Sequence, residues 1–291
     1  MKKAVQFILC IFISLLLSGC QKETPVDIAA TTLPVYEFTS QLCFGTELTI
    51  GRVITESVSC LHDYTLQVDQ MRMLESADVV IISGAGLEEF LDDALNNADA
   101  VIDASTGVHV HSGEHHDHST DVEHHHDVDP HIWLSPENAK IMARNIAAEL
   151  SALYPQHKTL FENNLNQLDT QLDSLQEYGD QALSTLSCKE LITFHDGFAY
   201  LAESFHLTIL RAVEEESGSE ASASELKDLI LLVEQHNVPA VFTESNGSSS
   251  AADVIAAETS CKIYTLDMAI SSNSYFDAMY HNIDTIKEAL E

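Results

Sequence analysis

Residues 188–210, CKELITFHDGFAYLAESFHLTIL, contain a complete strand, helix and strand unit. ELITF and LTIL predict strands, and GFAYLAESF predicts the helix between them. Strands that alternate with helices are typical of a parallel sheet covered by helices on both faces. This segment therefore indicates an α/β fold, and the same alternation extends on both sides of it.

The alternation occurs in both halves of the chain. After LTIL the predicted elements are the helix SASELKDLILLVEQH, the strand AVFTE, the helix SSAADVIAAETS, the strand KIYTL and a terminal helix from Tyr275 to Leu290. From Ala29 onward they are the helix TLPVYEFTSQL, the strand ELTIGRVI, the helix QVDQMRMLESA, the strand DVVIISG, the helix EEFLDDAL and the strand AVIDAS. The sequence thus predicts two α/β lobes, each with a parallel sheet flanked by helices, and a cleft between them.

A long helix is predicted between the two halves. PENAKIMARNIAAELSALYP forms one helix, and residues 156–184 form a second with a stripe of leucines, about 40 Å long at about 1.5 Å per residue. This second helix is either one more member of a bundle or a rigid spine that joins two lobes. The alternation that restarts after it favours the spine.

The N-terminus has the features of a secretory signal peptide. Lys2 and Lys3 precede an apolar run that is too short for a stable membrane span. Leu17-Ser18-Gly19-Cys20 resembles a bacterial lipobox, in which cleavage before the cysteine leaves it carrying lipid; the alternative is an ordinary signal peptide. We therefore expect an extracytoplasmic protein that a lipid on Cys20 anchors to the cell membrane.

These patterns predict the domain organisation. It consists of a signal peptide (1–19), a lipidated tether (20–27), an N-terminal lobe (28–154) with a histidine-rich loop (109–128), a linking helix (155–185) and a C-terminal lobe (186–291). We expect a monomer.

The chain is strongly acidic. It has 46 aspartates and glutamates against 13 lysines and arginines, a formal net charge of −33. Such a surface repels nucleic acid and attracts cations, although acidity also serves solubility in many secreted proteins. The charge therefore excludes nucleic acid as a partner and favours a protein that binds metal cations.

A histidine-rich loop precedes one ordered histidine. The loop has no apolar periodicity, so it cannot build a core and is predicted to be disordered without metal. It either collects several Zn²⁺ ions weakly beside the cleft or is an inert solvated loop. Its histidines are His109, His111, His115, His116, His118, His124, His125 and His126.

Four side chains are candidate metal ligands: His62, His131, His195 and Asp267. Three of them follow predicted strands, and parallel sheets place ligand sites beyond the carboxyl ends of their strands. Three imidazoles and one carboxylate suit zinc and tolerate other first-row divalent ions. Histidine ligands also need hydrogen-bond partners that fix the orientation of their imidazole rings. The candidates by sequence proximity are Asp63, Asp129, Asp196 and Glu244.

An enzyme is not expected. A zinc hydrolase needs an open coordination position and a general base, as in HExxH, and this motif does not occur in the sequence. Four protein ligands would also saturate the ion.

Four cysteines remain once Cys10 and Cys20 are set aside. We predict a disulfide between Cys43 and Cys60. Cys188 and Cys261 begin two similar strand segments, and with one strand between them their α-carbons would lie about 9–10 Å apart, beyond disulfide reach. Whether they pair is left open.

Several blocks resemble a known family. DPHIWLSPENAKIMARNIAAEL, TFHDGFAYLAESFHL, VFTESN and KIYTLDMA resemble, in order and spacing, the metal-binding lipoproteins of bacterial ABC importers for zinc and manganese, the cluster A-I substrate-binding proteins. The resemblance implies metal held in the cleft and delivered to a membrane permease, with ligands at His62, His131, His195 and Asp267. Histidine at the third ligand position, His195, and the histidine-rich loop before DPHxWL resemble the zinc-binding branch of the family.

The function implied is high-affinity Zn²⁺ capture for an ABC importer. The alternatives are a Mn²⁺-binding homologue, and a surface metal buffer or adhesin without a transport role. One departure concerns His62. In the family the segment before the first ligand histidine usually contains glycine and proline, whereas here it is Ser57-Val58-Ser59-Cys60-Leu61.

Overall fold

The computed structural model describes residues 26–56, 61, 64–111, 128–214, 221–245, 247, 249–270 and 272–291. Two four-stranded parallel sheets confirm the predicted α/β class. The first sheet contains β1 (Ile28–Ala30), β2 (Ile50–Arg52), β3 (Val79–Ile82) and β4 (Val101–Asp103), in the order β2-β1-β3-β4. The second contains β5 (Glu190–His195), β6 (Thr208–Glu214), β7 (Ala240–Glu244) and β8 (Lys262–Leu266), in the order β6-β5-β7-β8.

Helices flank both sheets and connect them. The first half contains α1 (Leu33–Leu42), α2 (Val68–Ser76), α3 (Asp92–Leu95) and α4 (Pro136–Leu153). They are followed by α5 (Lys158–Leu183), α6 (Ala199–Ser204), α7 (Ala223–His236), α8 (Ser250–Thr259) and α9 (Tyr275–Leu290).

One predicted helix is shorter than expected. EEFLDDAL forms a 3₁₀ turn, Glu89–Leu91, followed by the single turn of α3. The preceding Glu88 is buried and accepts hydrogen bonds from the Ser83 and Gly84 amides. Its side chain therefore holds the carboxyl end of β3 instead of taking part in a helix.

The parallel register brings polar side chains to one edge of the second sheet. β5 pairs with β6 and β7, and β7 pairs with β8, all in parallel. His195 is the last residue of β5, Glu244 is the last residue of β7, and Asp267 directly follows β8. Because parallel strands end at the same edge, these three residues lie on the same side of the sheet.

The long helix α5 is bonded to both lobes. Its 26 residues correspond to about 39 Å at about 1.5 Å per residue. In its first half, the Asn164 amide donates to the Leu42 and Phe44 carbonyls at 2.8 and 2.9 Å. In its second half, the Tyr178 hydroxyl donates to Asp284 of α9 at 2.5 Å. These contacts agree with a spine that joins the lobes.

The two lobes share one hydrophobic core. Phe38 of α1 packs edge-on against Tyr275 of α9, with ring centroids 5.0 Å apart. Glu37, the neighbour of Phe38, accepts hydrogen bonds from the Tyr275 amide at 2.5 Å and the Ser274 hydroxyl at 3.2 Å. Burial raises the pKa of this carboxyl. Shared apolar packing of this kind opposes wide separation of the lobes.

Cys43, Cys188 and Cys261 lie in the described residues, and no disulfide joins any two of them. β7 lies between β5 and β8, the arrangement in which Cys188 and Cys261 would be too far apart to pair. Cys43 is buried, and burial raises the pKa of its thiol to about 12. Its expected partner Cys60 lies outside the described residues, so that disulfide stays a prediction.

The signal peptide and Cys20 also lie outside the described residues. Within the described part of the chain, no helix combines the length and apolar character needed to cross a bilayer.

Candidate metal site

His131 is fixed by the aspartate two residues before it. It is 2% exposed and precedes a 3₁₀ turn, Ile132–Leu134, which leads into α4. The Asp129 carboxylate accepts a hydrogen bond from the His131 amide at 2.9 Å, and the same oxygen lies 2.8 Å from His131 Nδ1. A carboxylate at Nδ1 holds the proton there and leaves Nε2 with a lone pair for a metal.

His195 also has a carboxylate near Nδ1, at a longer distance. It is 2% exposed, and its Nδ1 lies 3.5 Å from the Glu244 carboxylate at the end of the adjacent strand β7. Both side chains are buried, so the pairing takes place in a medium of low dielectric. Asp129 and Glu244 are therefore two of the four predicted ring partners. Asp196 is exposed, and Asp63 lies outside the described residues.

The two histidines face each other. Their Nε2 atoms are 3.4 Å apart, and the rings are nearly perpendicular at 86°. Two nitrogens bound to a tetrahedral zinc at about 2.0–2.1 Å lie about 3.3–3.4 Å from each other. The imidazole pair thus has the nitrogen separation that one zinc ion requires.

Gly197 makes this approach of the rings sterically feasible. A β-carbon at this position would lie 2.6 Å from Met268 Cε, 2.7 Å from His195 Cδ2 and 2.9 Å from His131 Nδ1. All three distances are shorter than a carbon contact permits. Glycine is therefore required here by the space beside the imidazoles.

Asp267 is held by the C-terminal helix. Its amide donates to Asn282 Oδ1 and its carbonyl accepts from Asn282 Nδ2, both at 2.7 Å. Its carboxylate accepts from the Ala269 amide at 2.7 Å and from the Ser272 hydroxyl at 2.6 Å. These bonds fix the aspartate while each oxygen keeps a further lone pair.

The complete four-residue set is not assembled within the described residues. Among them, no group of three or more histidine, cysteine, aspartate or glutamate side chains is arranged to hold a metal ion. His62 lies outside this part of the chain. The structure therefore brings His131 and His195 together, and the contributions of His62 and Asp267 stay predictions.

Only the stem of the histidine-rich loop is described. His111 pairs with Glu203 of α6 at 2.8 Å, and its ring lies 5.9 Å from the ring of His109. The remaining predicted loop ligands lie outside the described residues, namely His115, His116, His118, His124, His125 and His126.

Sequence reasoning missed three buried residues that support the site. Tyr200 bonds the Asp129 carbonyl, Trp133 bonds the Met268 carbonyl, and Asn282 bonds the backbone of Asp267. Asn282 offered a signal, because it is a polar residue on the apolar stripe of α9. Trp133 and Tyr200 lie within the blocks DPHIWL and TFHDGFAY that carry the family resemblance, but no local pattern indicates which atoms their side chains bond.

Comparison with known proteins identifies the family. A family model described as "Zinc-uptake complex component A periplasmic" matches residues 28–289. The chain is similar to the high-affinity zinc uptake system protein ZnuA of Bacillus subtilis, with 29% identity over 289 residues, covering 94% of this chain and 90% of that protein. It is 28% identical over 314 residues to the zinc-binding lipoprotein AdcA of Streptococcus pneumoniae, covering 99% of this chain but 61% of AdcA.

The fold comparison agrees with the sequence comparison. A crystal structure of ZnuA matches with a TM-score of 0.80 and 28% identity, covering 92% of this chain and 100% of that one. The family model spans both lobes and the helix between them. The chain therefore belongs to the ZnuA family, the periplasmic component A of zinc-uptake complexes.

Proposed function

We propose that this protein captures Zn²⁺ in the cleft between its lobes and delivers it to the membrane permease of an ABC importer. The observation that carries the proposal is the 3.4 Å separation of the two buried Nε2 atoms of His131 and His195. Asp129 lies 2.8 Å from Nδ1 of His131, and Glu244 lies 3.5 Å from Nδ1 of His195. A carboxylate that bonds Nδ1 fixes the ring orientation and raises the basicity of the ligand nitrogen. Membership of the zinc-uptake family supports the choice of cargo.

The full ligand set proposed is His62, His131, His195 and Asp267. Three imidazoles and one carboxylate favour zinc over manganese, which prefers oxygen ligands. The family comparison likewise favours zinc over the manganese alternative. Four protein ligands leave no open position for a reacting water, which supports transport rather than catalysis.

The metal-binding test is a Zn²⁺ titration of the mature protein against a chromophoric chelator, with and without excess Mn²⁺. We expect one tight zinc equivalent that Mn²⁺ does not displace, and its loss in His131→Ala and His195→Ala. Deleting residues 112–127 should remove only weak additional sites. If tight binding disappears with that deletion and survives both histidine substitutions, the cleft is not the site.

We further propose that the mature protein is anchored through lipid on Cys20. The support is the sequence around Cys20, together with AdcA, a relative named as a lipoprotein. Radiolabelled fatty acid should enter the wild-type protein and not Cys20→Ser. Incorporation into the serine variant would contradict lipidation at this residue.

Delivery requires a permease, and a growth assay separates transport from surface storage or adhesion. Cells that lack this protein should grow poorly in zinc-chelated medium, and the wild-type gene should restore growth. His131→Ala and His195→Ala should not. Full restoration by both variants, at equal protein levels, would instead favour a surface role without transport.

Zinc release should not require wide opening of the lobes. α5 is bonded to both lobes, and the core is continuous across them, so large hinge motion would expose apolar surface to water. We expect the permease to displace a ligand or one local segment. Small-angle X-ray scattering should give nearly equal radii of gyration with and without zinc, and a large-angle closure would exclude this mode of release.

A further inference from the structure

Tyr200 lies at the junction of three segments around the metal site. It belongs to α6, which follows the strand that ends in His195, and its side chain is 1% exposed. Its hydroxyl donates to the Asp129 carbonyl at 2.7 Å and accepts from the His111 amide at 3.0 Å. One oxygen atom thus bonds His111, near the start of the histidine-rich loop, and Asp129, directly after its end.

The same junction is closed by two further contacts. The Asp129 amide donates to the His111 carbonyl at 3.0 Å, and the Tyr200 ring packs on the His111 imidazole with centroids 4.6 Å apart. Burial raises the pKa of Tyr200 to about 12, so the hydroxyl keeps its proton and remains a donor at neutral pH. The backbone of Asp129 is therefore fixed on two sides.

Asp129 passes this restraint on to His131. Its carboxylate contacts both the amide and Nδ1 of His131, and Nε2 of that ring faces His195. A backbone shift at Asp129 would move the carboxylate and release the ring. We infer that Tyr200 is a positioning residue for the metal site, which acts on His131 through Asp129.

This inference rests on the proposed zinc site but assigns Tyr200 no metal contact. The hydroxyl acts by holding the position from which Asp129 selects the His131 tautomer. Without it, the Asp129 carbonyl and the His111 amide lose their shared partner, although the Asp129 amide still donates to the His111 carbonyl. The ring should then sample the tautomer protonated at Nε2, which cannot bind zinc through the nitrogen that faces His195.

The test compares Tyr200→Phe with Tyr178→Phe. The control removes the hydroxyl that bonds Asp284 on the spine, away from the cleft. Zinc affinity of the mature protein should fall about five- to tenfold in Tyr200→Phe, the order expected for one lost hydrogen bond, and stay unchanged in the control. Long-range ¹H–¹⁵N spectra of the metal-free protein should show His131 gaining the Nε2-protonated form in Tyr200→Phe alone.

A double-mutant cycle tests the route through Asp129. In an Asp129→Ala background, Tyr200→Phe should weaken zinc binding less than about twofold, because the carboxylate that it positions is absent. If Tyr200→Phe does not fold, Tyr200→4-fluorophenylalanine fills the space of the hydroxyl without donating. Wild-type affinity and an unchanged His131 tautomer in the folded variant would overturn the inference.

The outcome also separates this inference from the proposed function. If wild-type protein binds zinc tightly and His195→Ala does not, the cleft site stands whatever Tyr200→Phe does. Additive effects of Tyr200→Phe and Asp129→Ala would overturn the route through Asp129.

Discussion

The indole nitrogen of Trp133 donates a hydrogen bond to the Met268 carbonyl, with 2.8 Å between the two atoms. Trp133 lies two residues after His131, and Met268 directly follows Asp267, so this bond joins the neighbourhoods of two proposed ligands from different lobes. The Tyr275 hydroxyl donates in turn to the Trp133 carbonyl at 2.8 Å. All of these aromatic atoms are buried, so the bonds are protected from water.

Trp133→Phe should lower the free energy of unfolding by about 1–3 kcal/mol, because it leaves a buried carbonyl without its donor and also removes apolar area. Zinc affinity should fall as well, since the separation of the lobes at the site is less strictly held. Tyr178→Phe is the matched control for a lost hydrogen bond between α5 and α9. Urea denaturation and zinc titration measure the two effects. A Trp133→Phe protein as stable as the control would contradict the role of the indole.

Asp129→Ala should weaken zinc binding about 10- to 100-fold, the usual effect of losing a carboxylate behind a metal-bound histidine. Asp129→Asn should lose less zinc affinity than Asp129→Ala, because the asparagine amide oxygen can still accept a hydrogen bond from His131 Nδ1. Asp173→Ala, which removes a surface carboxylate paired with Lys140, serves as the control. Competition with a chelator of known affinity ranks the three. Equal affinity in all three would show that Asp129 does not support the site.

Gly197→Ala should abolish tight zinc binding, because its β-carbon would overlap atoms of both imidazoles and of Met268. Met268→Ala in the same chain relieves only the contact with Met268, so zinc binding should stay weak in the double variant. Thermal unfolding monitored by circular dichroism should establish that both variants fold. Recovery of wild-type affinity in the double variant would mean that the imidazoles do not need the space beside Gly197.

Glu88, in the first lobe, should make the free energy of unfolding depend on pH. Burial raises the pKa of this carboxyl to about 7, although hydrogen bonds from Thr31, Ser83 and Gly84 partly oppose the shift. The folded protein then keeps a proton that the unfolded chain loses, so the contribution of Glu88 is fully present below about pH 4.5 and is lost as the pH rises to about 7.

Glu88→Gln should remove this component of the pH dependence. Urea unfolding between pH 4.5 and 7.5 should give a flatter dependence for Glu88→Gln than for the wild type, whatever its absolute stability. Glu75→Gln, on the exposed side of α2, should retain the wild-type dependence. Identical slopes for Glu88→Gln and the wild type would mean that Glu88 ionises normally in the folded protein.

Local sequence patterns were sufficient to predict the fold class and to propose as ligands the two histidines that the structure brings together. Strand and helix periodicities differ, so ELITF and GFAYLAESF could be separated without tertiary information. Parallel strands end at one edge of a sheet, and this rule predicted from the sequence that His195 and Asp267 lie at the same edge. The boundaries of EEFLDDAL were missed because Glu88 bonds the carboxyl end of β3, a contact that no local pattern encodes.

The sequence by itself determined the alternating elements and the two lobes with a long helix between them, and it led to the prediction that imidazole and carboxylate groups bind a metal. Only the tertiary structure decided the 3.4 Å approach of His131 and His195, the space beside Gly197 and the bonds of Tyr200 and Trp133. The physical reason is the distance along the chain. His131 and His195 are 64 residues apart, and their meeting depends on how separate elements pack, which periodicity within any one element does not specify.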